Sequence, residues 1–267
     1  RPFHVMTKPH GPICNLDCAY CYYLSKEQMF PKGERFRMSD ELLEEYIKQM
    51  IAAQPGPRVD FAWQGGQPTL MGLDFFKRAV ELQRKYLPKG WVCANSLQTN
   101  GTLLTPEWCD FLRENNFLVG ISIDGPEAIH DTYRRDKGDH GTHRRVIRGL
   151  RLLQEHRVEH NILCVVNNVN AQHPLEVYRY FTRELGEQFL QFIPIVEHLG
   201  GGRVSDRSVA PLDYGRFLAG IFDEWVRHDV GRVYVQIFEE AFAAWAGYPT
   251  SLCVFQETCG YALAMEH

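Results

Sequence analysis

Short apolar runs alternate with longer amphipathic stretches along almost the whole chain, and this alternation limits the fold more than any other feature. Runs suited to buried strands fall at 59–63, 92–97, 118–123, 162–166 and 189–193, with a shorter one at 4–7. Apolar residues recur at helical spacing over 39–53, 73–86, 106–115, 143–155, 174–185 and 213–228. A continuous apolar run bounded by turn residues reads as a strand, and a three-four spacing reads as a helix. Ser39-Asp40-Glu41-Leu42 and Thr105-Pro106-Glu107 supply helix starts, each an oxygen-bearing cap followed by acidic residues or proline. Six strand–helix units in series predict an α/β fold with a parallel sheet and right-handed crossovers. Such sheets carry their functional groups at the C-terminal ends of the strands.

The 267 residues suffice for one large α/β domain and an appendage. A net charge of −4 gives no electrostatic reason to expect a nucleic-acid partner, and no apolar run approaches a membrane span. Eight cysteines, clustered or isolated in apolar segments, suit a reducing compartment, and a cytoplasmic location is expected. The chain opens on Arg1 and stops at Met265-Glu266-His267 inside what reads as a strand, so a fragment of a longer protein is expected.

The loop after the first predicted strand holds Cys14-Asn-Leu-Asp-Cys18-Ala-Tyr-Cys21. Three thiolates at this spacing can hold three irons of a [4Fe–4S] cube, leaving the fourth without a protein ligand and open to chemistry. Three close cysteines also occur in zinc sites and as structural thiols. Zinc knuckles favour paired C-x2-C units with a second pair nearby, and three is an odd number for a disulfide framework. The eleven histidines form no helical ligand pair that would suggest a zinc hydrolase. Cys93, Cys109 and Cys164 lie in apolar contexts and read as core residues.

Together with this triplet, Gln64-Gly-Gly-Gln-Pro-Thr-Leu70, Leu97-Gln-Thr-Asn-Gly101 and Phe117-Leu-Val-Gly-Ile-Ser-Ile-Asp-Gly-Pro126 resemble the radical S-adenosylmethionine superfamily. Asn161-Ile-Leu-Cys-Val-Val166 and Leu190-Gln-Phe-Ile193 extend the likeness to its anaerobic sulfatase-maturating enzymes, which carry a cysteine-rich C-terminal SPASM domain. The resemblance implies a partial (β/α)6 TIM-type barrel over residues 1–230, with 231–267 beginning the SPASM module. It implies that Cys14, Cys18 and Cys21 anchor the cluster and that S-adenosylmethionine chelates the open iron. Cys253 and Cys259 are similar to the first two ligands of an auxiliary [4Fe–4S] cluster, whose remaining ligands are expected beyond His267. The family's general-base aspartate is expected there too, so the resemblance assigns no catalytic residue within this chain.

By the same resemblance, the cofactor-binding residues are Tyr20, Gly65, Gly66, Gln67, Ser122, Asp124, Arg134 and Val196. Tyr20 would pack near the adenine, Gly65 and Gly66 would let the backbone approach the cofactor amine, and Arg134 would meet its carboxylate. Each also has a plainer reading: a packed loop tyrosine, a glycine turn, the Asp124-Gly125-Pro126 turn signal, and one of two solvated arginines in sequence. The family usually has glutamate where this chain has Gln67. Glutamine keeps the shape but loses the charge, so weaker cofactor binding is expected, tightened by Gln67→Glu. Tyr23, Gln64, Gln98 and Asn100 are candidate contacts to a peptide substrate.

The implied activity is oxidation of a cysteine or serine in an unfolded sulfatase polypeptide to Cα-formylglycine through a 5′-deoxyadenosyl radical. A flavodoxin or ferredoxin would supply electrons. The alternatives are another SPASM enzyme acting on a different peptide, such as one forming thioether cross-links, and a non-catalytic zinc-binding module.

Overall fold

The structure is a computed structural model that describes residues 2–23, 25–258, 260 and 262–267. In chain order the strands are β1 (His4–Thr7), β2 (Arg58–Trp63), β3 (Val92–Thr99), β4 (Phe117–Ser122), β5 (His160–Val166), β6 (Phe189–Pro194), β7 (His198–Gly200), β8 (Arg203–Val204), β9 (Tyr234–Val235) and β10 (Ala262–Met265). The helices are α1 (Asp40–Ala53), α2 (Leu73–Tyr86), α3 (Pro106–Glu114), α4 (Glu127–Tyr133), α5 (His143–Glu155), α6 (Pro174–Arg179), α7 (Pro211–His228) and α8 (Gln236–Trp245).

The six expected strands form consecutive neighbours in one eight-stranded sheet of order β10-β1-β2-β3-β4-β5-β6-β9. Every pairing in it is parallel. This is the sheet of a partial barrel: sequential neighbours, each joined through a helix, with β10 and β9 at its two ends rather than paired to each other. The run that reads as a strand at the end of the chain is β10, which lies beside β1 with Thr7 opposite Met265. β7 and β8 form a separate antiparallel hairpin after β6.

The helices sit where the sequence signals place them. Ser39 accepts the Leu42 N–H at 3.2 Å and Thr105 accepts the Trp108 N–H at 3.4 Å, so both caps satisfy amide donors that a helix start leaves free. On α1 the buried residues are Leu43, Tyr46, Ile47, Met50 and Ile51, a three-four stripe that faces the sheet. Burying each such side chain contributes about 1.5–3 kcal/mol. The core between sheet and helices includes the fully buried Phe61, Trp63, Phe76, Phe117, Tyr178 and Phe181.

Two expectations about helices change. The stretch expected as one helix over 174–185 is α6 followed by a π turn at Tyr180–Glu184. A helix, α4, also stands after Asp124-Gly125-Pro126, where only a turn was legible. Among the described residues, no helix is long and apolar enough to cross a membrane.

Candidate active site

Parallel register puts the strand ends on one rim: Trp63 lies opposite Leu97, Thr99 opposite Ile121 and Ser122 opposite Leu163. The segments leaving these ends line a cavity of about 740 Å³. Cys14, Cys18 and Cys21 face it together, as do Tyr20, Gly65, Gly66, Gln67, Ser122, Arg134 and Val196. Of the substrate candidates, Tyr23, Gln98 and Asn100 line it as well. Gln64 and Asp124 do not. Leu163, Val165 and Ile193, from β5 and β6, add apolar walls.

The cysteine loop is held from two sides. Gly66 N–H bonds Gly11 O at 2.9 Å and Gln67 N–H bonds Ile13 O at 2.9 Å, tying the loop to the end of β2. On the other side Asp17 N–H bonds Arg135 O at 2.8 Å and Ala19 N–H bonds Tyr133 O at 2.9 Å, tying it to the end of α4. The glycine pair therefore has a second reason to lack side chains. A Cβ on Gly66 would stand 2.3 Å from both Pro12 O and Ile13 O, and one on Gly65, at φ +108°, would stand 2.7 Å from Gly11 O. Loop backbone fills the space a side chain would need.

Burial pushes the Cys18 thiol up to about 12, against the lowering effect of the nearby Arg134 charge, and burial also raises Cys14. Thiolates at this site require a positive partner, which iron supplies. Among the described residues, no three His, Cys, Asp or Glu side chains close on one point as single-ion ligands do. A four-iron cube spaces its cysteine sulfurs more widely than one zinc ion does. Three thiols on one loop, facing one cavity, are the donor set such a cube needs. Cys259 and the side chain of Cys253 lie outside the described residues. Cys109 and Cys164 are fully buried and Cys93 packs against the core, as expected.

Beside the cysteines, Tyr20, Asp124 and Arg134 form one buried unit. The Tyr20 hydroxyl donates to Asp124 Oδ2, and Arg134 Nε lies 2.9 Å from the same oxygen. The Arg134 guanidinium stacks on the Tyr20 ring at 5.6 Å. Asp124 Oδ1 also accepts the Val165 N–H at 3.1 Å. Asp124 thus acts from behind, orienting Tyr20 and Arg134 toward the cavity. Arg134 Nε is out of line for a hydrogen bond and is a buried donor without an acceptor. The guanidinium itself lines the cavity, and its fork of donors suits an anionic ligand group such as a carboxylate.

Gln67 is 1% exposed, and its amide is fully engaged. Nε2 donates to Thr69 Oγ1 at 2.5 Å and Thr99 Oγ1 at 2.6 Å, while Oε1 accepts the Asn100 N–H at 3.0 Å. Gln98 Nε2 donates to Ser122 Oγ at 3.0 Å, and Gly120 leaves the room that Gln98 occupies. His130, which the sequence did not single out, supports the buried unit from α4. Its Nδ1 accepts the Asp124 N–H, and its Nε2 faces Thr142 Oγ1.

A model of the radical SAM superfamily matches residues 8–181. The serine-type anaerobic sulfatase-maturating enzyme of Bacteroides thetaiotaomicron is 45% identical over all of this chain and 67% of its own length. That of Klebsiella aerogenes is 42% identical over 99% of the chain and 64% of its own length. The cysteine-type enzyme of Clostridium perfringens is 39% identical over 99% of the chain and 72% of its own length. The chain thus spans about two thirds of these relatives. The solved structure "Native anSMEcpe with bound AdoMet and Kp18Cys peptide" superposes with a TM-score of 0.82 at 38% identity, covering 94% of this chain and 68% of that one. SuiB of Streptococcus suis, at 14% identity and a TM-score of 0.64, shares the fold. The chain belongs to the radical SAM superfamily and, within it, to the anaerobic sulfatase-maturating enzymes.

Proposed function

We propose that the protein oxidises the Cβ of a cysteine or serine in an unfolded sulfatase polypeptide, giving Cα-formylglycine. The observation that carries this reading is the convergence of Cys14, Cys18 and Cys21 with Arg134 on one cavity at the strand ends. Relatives named as serine- and cysteine-type sulfatase-maturating enzymes, similar over essentially the whole chain, support it.

In this reading the three cysteines hold a [4Fe–4S] cluster that leaves one iron for S-adenosylmethionine. When bound, the pair supplies one-electron cleavage of the sulfonium bond and a 5′-deoxyadenosyl radical that takes a hydrogen atom from the substrate Cβ. The protein's own part is placement and exclusion of water. Arg134 receives the methionine carboxylate, held in aim by Asp124. The Gly65-Gly66-Gln67 backbone and Ser122 receive the polar groups of the cofactor, and Tyr20 and Val196 pack against it. Tyr23 and Gln98 stand at the cavity wall where a peptide enters, whereas Gln64, which follows β2, lies outside that lining.

Residues 231–267 begin the SPASM module in this reading, anchored to the barrel by β9 and β10, with Cys253 and Cys259 as ligands of an auxiliary cluster. Cys253 and Cys259 would hold part of that cluster, which would supply an acceptor for the second electron lost by the substrate. A flavodoxin or ferredoxin donates the first electron, and the reaction runs in the cytoplasm.

The test is anaerobic incubation of the full-length protein with reductant, S-adenosylmethionine and a sulfatase-derived peptide bearing Cys/Ser-x-Pro/Ala-x-Arg. Mass spectrometry showing formylglycine supports the proposal. Release of 5′-deoxyadenosine with no change in the peptide contradicts it and points to a different peptide substrate, such as one that is cross-linked.

A further inference from the structure

We infer that Asn100 is a positioning residue for Cys14, whose side-chain N–H, donated to the sulfur, raises the reduction potential of the cluster. This rests on the reading of Cys14 as a cluster ligand, and it reassigns Asn100 from a peptide contact to a part of the cluster's surroundings.

Asn100 lies at the end of β3 and is 7% exposed. Its Nδ2 is 3.6 Å from Cys14 Sγ and 2.9 Å from Asn15 Oδ1. The amide has two hydrogens, so it serves both acceptors. Its orientation is fixed from the other side, where Oδ1 accepts the Thr102 N–H at 3.0 Å and the Thr102 hydroxyl at 2.7 Å. A flipped amide would set NH2 against the Thr102 N–H and an oxygen against both Cys14 Sγ and Asn15 Oδ1, losing those three bonds. Thr102 Oγ1 in turn accepts from Asn15 Nδ2 at 2.9 Å. Asn15, Thr102 and Asn100 therefore close a ring of side-chain hydrogen bonds beside Cys14.

Gln67 holds this ring in place. Its Oε1 accepts the Asn100 backbone N–H, and its Nε2 bonds two threonine hydroxyls. The Gln67 amide thus anchors the strand end that presents Asn100.

The sulfur of Cys14 also accepts the Leu16 N–H at 3.3 Å, a bond within the loop that any such turn could make. The Asn100 bond differs because it comes from another strand and from a side chain that substitution can remove. Hydrogen bonds to cluster sulfurs withdraw negative charge and favour the reduced cluster, which carries one more electron.

The experiment compares full-length wild-type protein with Asn100→Leu, both reconstituted anaerobically, by iron and sulfide content and by a redox titration followed by electron paramagnetic resonance. The expected result is equal cluster content and a midpoint shifted negative. At the wild-type midpoint the oxidised-to-reduced ratio then rises about tenfold, equivalent to ~59 mV for a one-electron couple. An intact cluster with an unchanged midpoint would overturn the inference, as would a shift to positive potential. If Asn100→Leu assembles no cluster, the wild-type protein carrying asparagine labelled with ¹⁵N only at the side chain decides. A coupling between that nitrogen and the reduced cluster, seen by electron spin-echo modulation, supports the bond to sulfur, and its absence overturns it. Wild-type protein that takes up no iron or sulfide would instead overturn the underlying reading of Cys14.

Discussion

His130 Nδ1 accepts the backbone N–H of Asp124 at 3.3 Å, a contact that fixes both the charge and the tautomer of the imidazole. The Thr142 hydroxyl donates to Arg134 O at 2.8 Å, so it receives the His130 Nε2–H across 3.1 Å. One neutral imidazole thus links the backbones of Asp124 and Arg134, the two residues that form the buried ion pair. Burial, and then the charges of Arg134 and His143, hold His130 well below the ordinary histidine pKa.

That depression sets a pH dependence. In the unfolded chain His130 takes a proton near pH ~6.5, while in the folded protein it stays neutral to lower pH. The unfolded state therefore binds more protons below that point, and stability falls as pH drops toward the folded value. His143, also depressed by burial, acts in the same direction, and His160, raised by its bond to Glu187 despite burial, acts in the opposite one. Replacing His130 by Gln, which can accept and donate at the same two places, should flatten the acid slope in urea denaturation between about pH 7.5 and about pH 5. An unchanged slope would show that His130 does not carry it. His130→Leu should cost about 1–3 kcal/mol by leaving the Asp124 N–H unbonded.

Gly66→Ala tests the cradle under the cysteine loop. The added methyl would meet two carbonyl oxygens at 2.3 Å, so the loop must shift. A destabilisation of about 1–3 kcal/mol is expected, with a larger relative loss of iron after anaerobic reconstitution. Full iron content and wild-type stability would mean that the loop yields freely.

Arg134 and Asp124 are 8% and 1% exposed at their side chains. Arg134→Leu leaves a buried carboxylate without its cation and should cost about 3–5 kcal/mol. Adding Asp124→Asn should recover much of that loss. Equal stabilities for the single and double variants in denaturant titrations would contradict the pairing.

Gln67→Glu was expected to tighten cofactor binding through charge. In the structure the amide donates two bonds that a carboxylate cannot, and the site is buried. The substitution should destabilise the protein by about 1–3 kcal/mol at neutral pH, measured by denaturant titration. A variant as stable as wild type would show that the threonine hydroxyls reorient to donate to the carboxylate without cost.

The strands were legible because short apolar-rich runs bounded by turn residues alternate with helical stretches, and caps such as Ser39 and Thr105 marked helix starts. α4 was not, because seven residues after Asp-Gly-Pro are too few to show a period. β9 and the break from α6 into a π turn escaped for the same reason of length. At the site, the spacing of Cys14, Cys18 and Cys21 pointed to one donor set, while Gly65 and Gly66 read as more than a turn only through the family resemblance. The steric contact of Gly66 with Ile13, the Asn15–Thr102–Asn100 ring and the His130 bridge were not, because each joins residues far apart in sequence or on different elements. Gln67 lines the cavity, and its hydrogen bonds, which depend on where Thr99 and Asn100 fall, were not legible in the sequence.

In the proposed function, Cys14, Cys18 and Cys21 would hold a [4Fe–4S] cluster with one iron open to S-adenosylmethionine. The most direct measurement is electron paramagnetic resonance of the anaerobically reconstituted, reduced full-length protein with and without S-adenosylmethionine, its auxiliary-cluster cysteines replaced so that only this cluster contributes. The expected result is a cluster signal that changes on adding the cofactor, accompanied by 5′-deoxyadenosine, and loss of both in Cys18→Ser. Stoichiometric zinc with no iron or sulfide, or a cluster signal indifferent to S-adenosylmethionine, would contradict it.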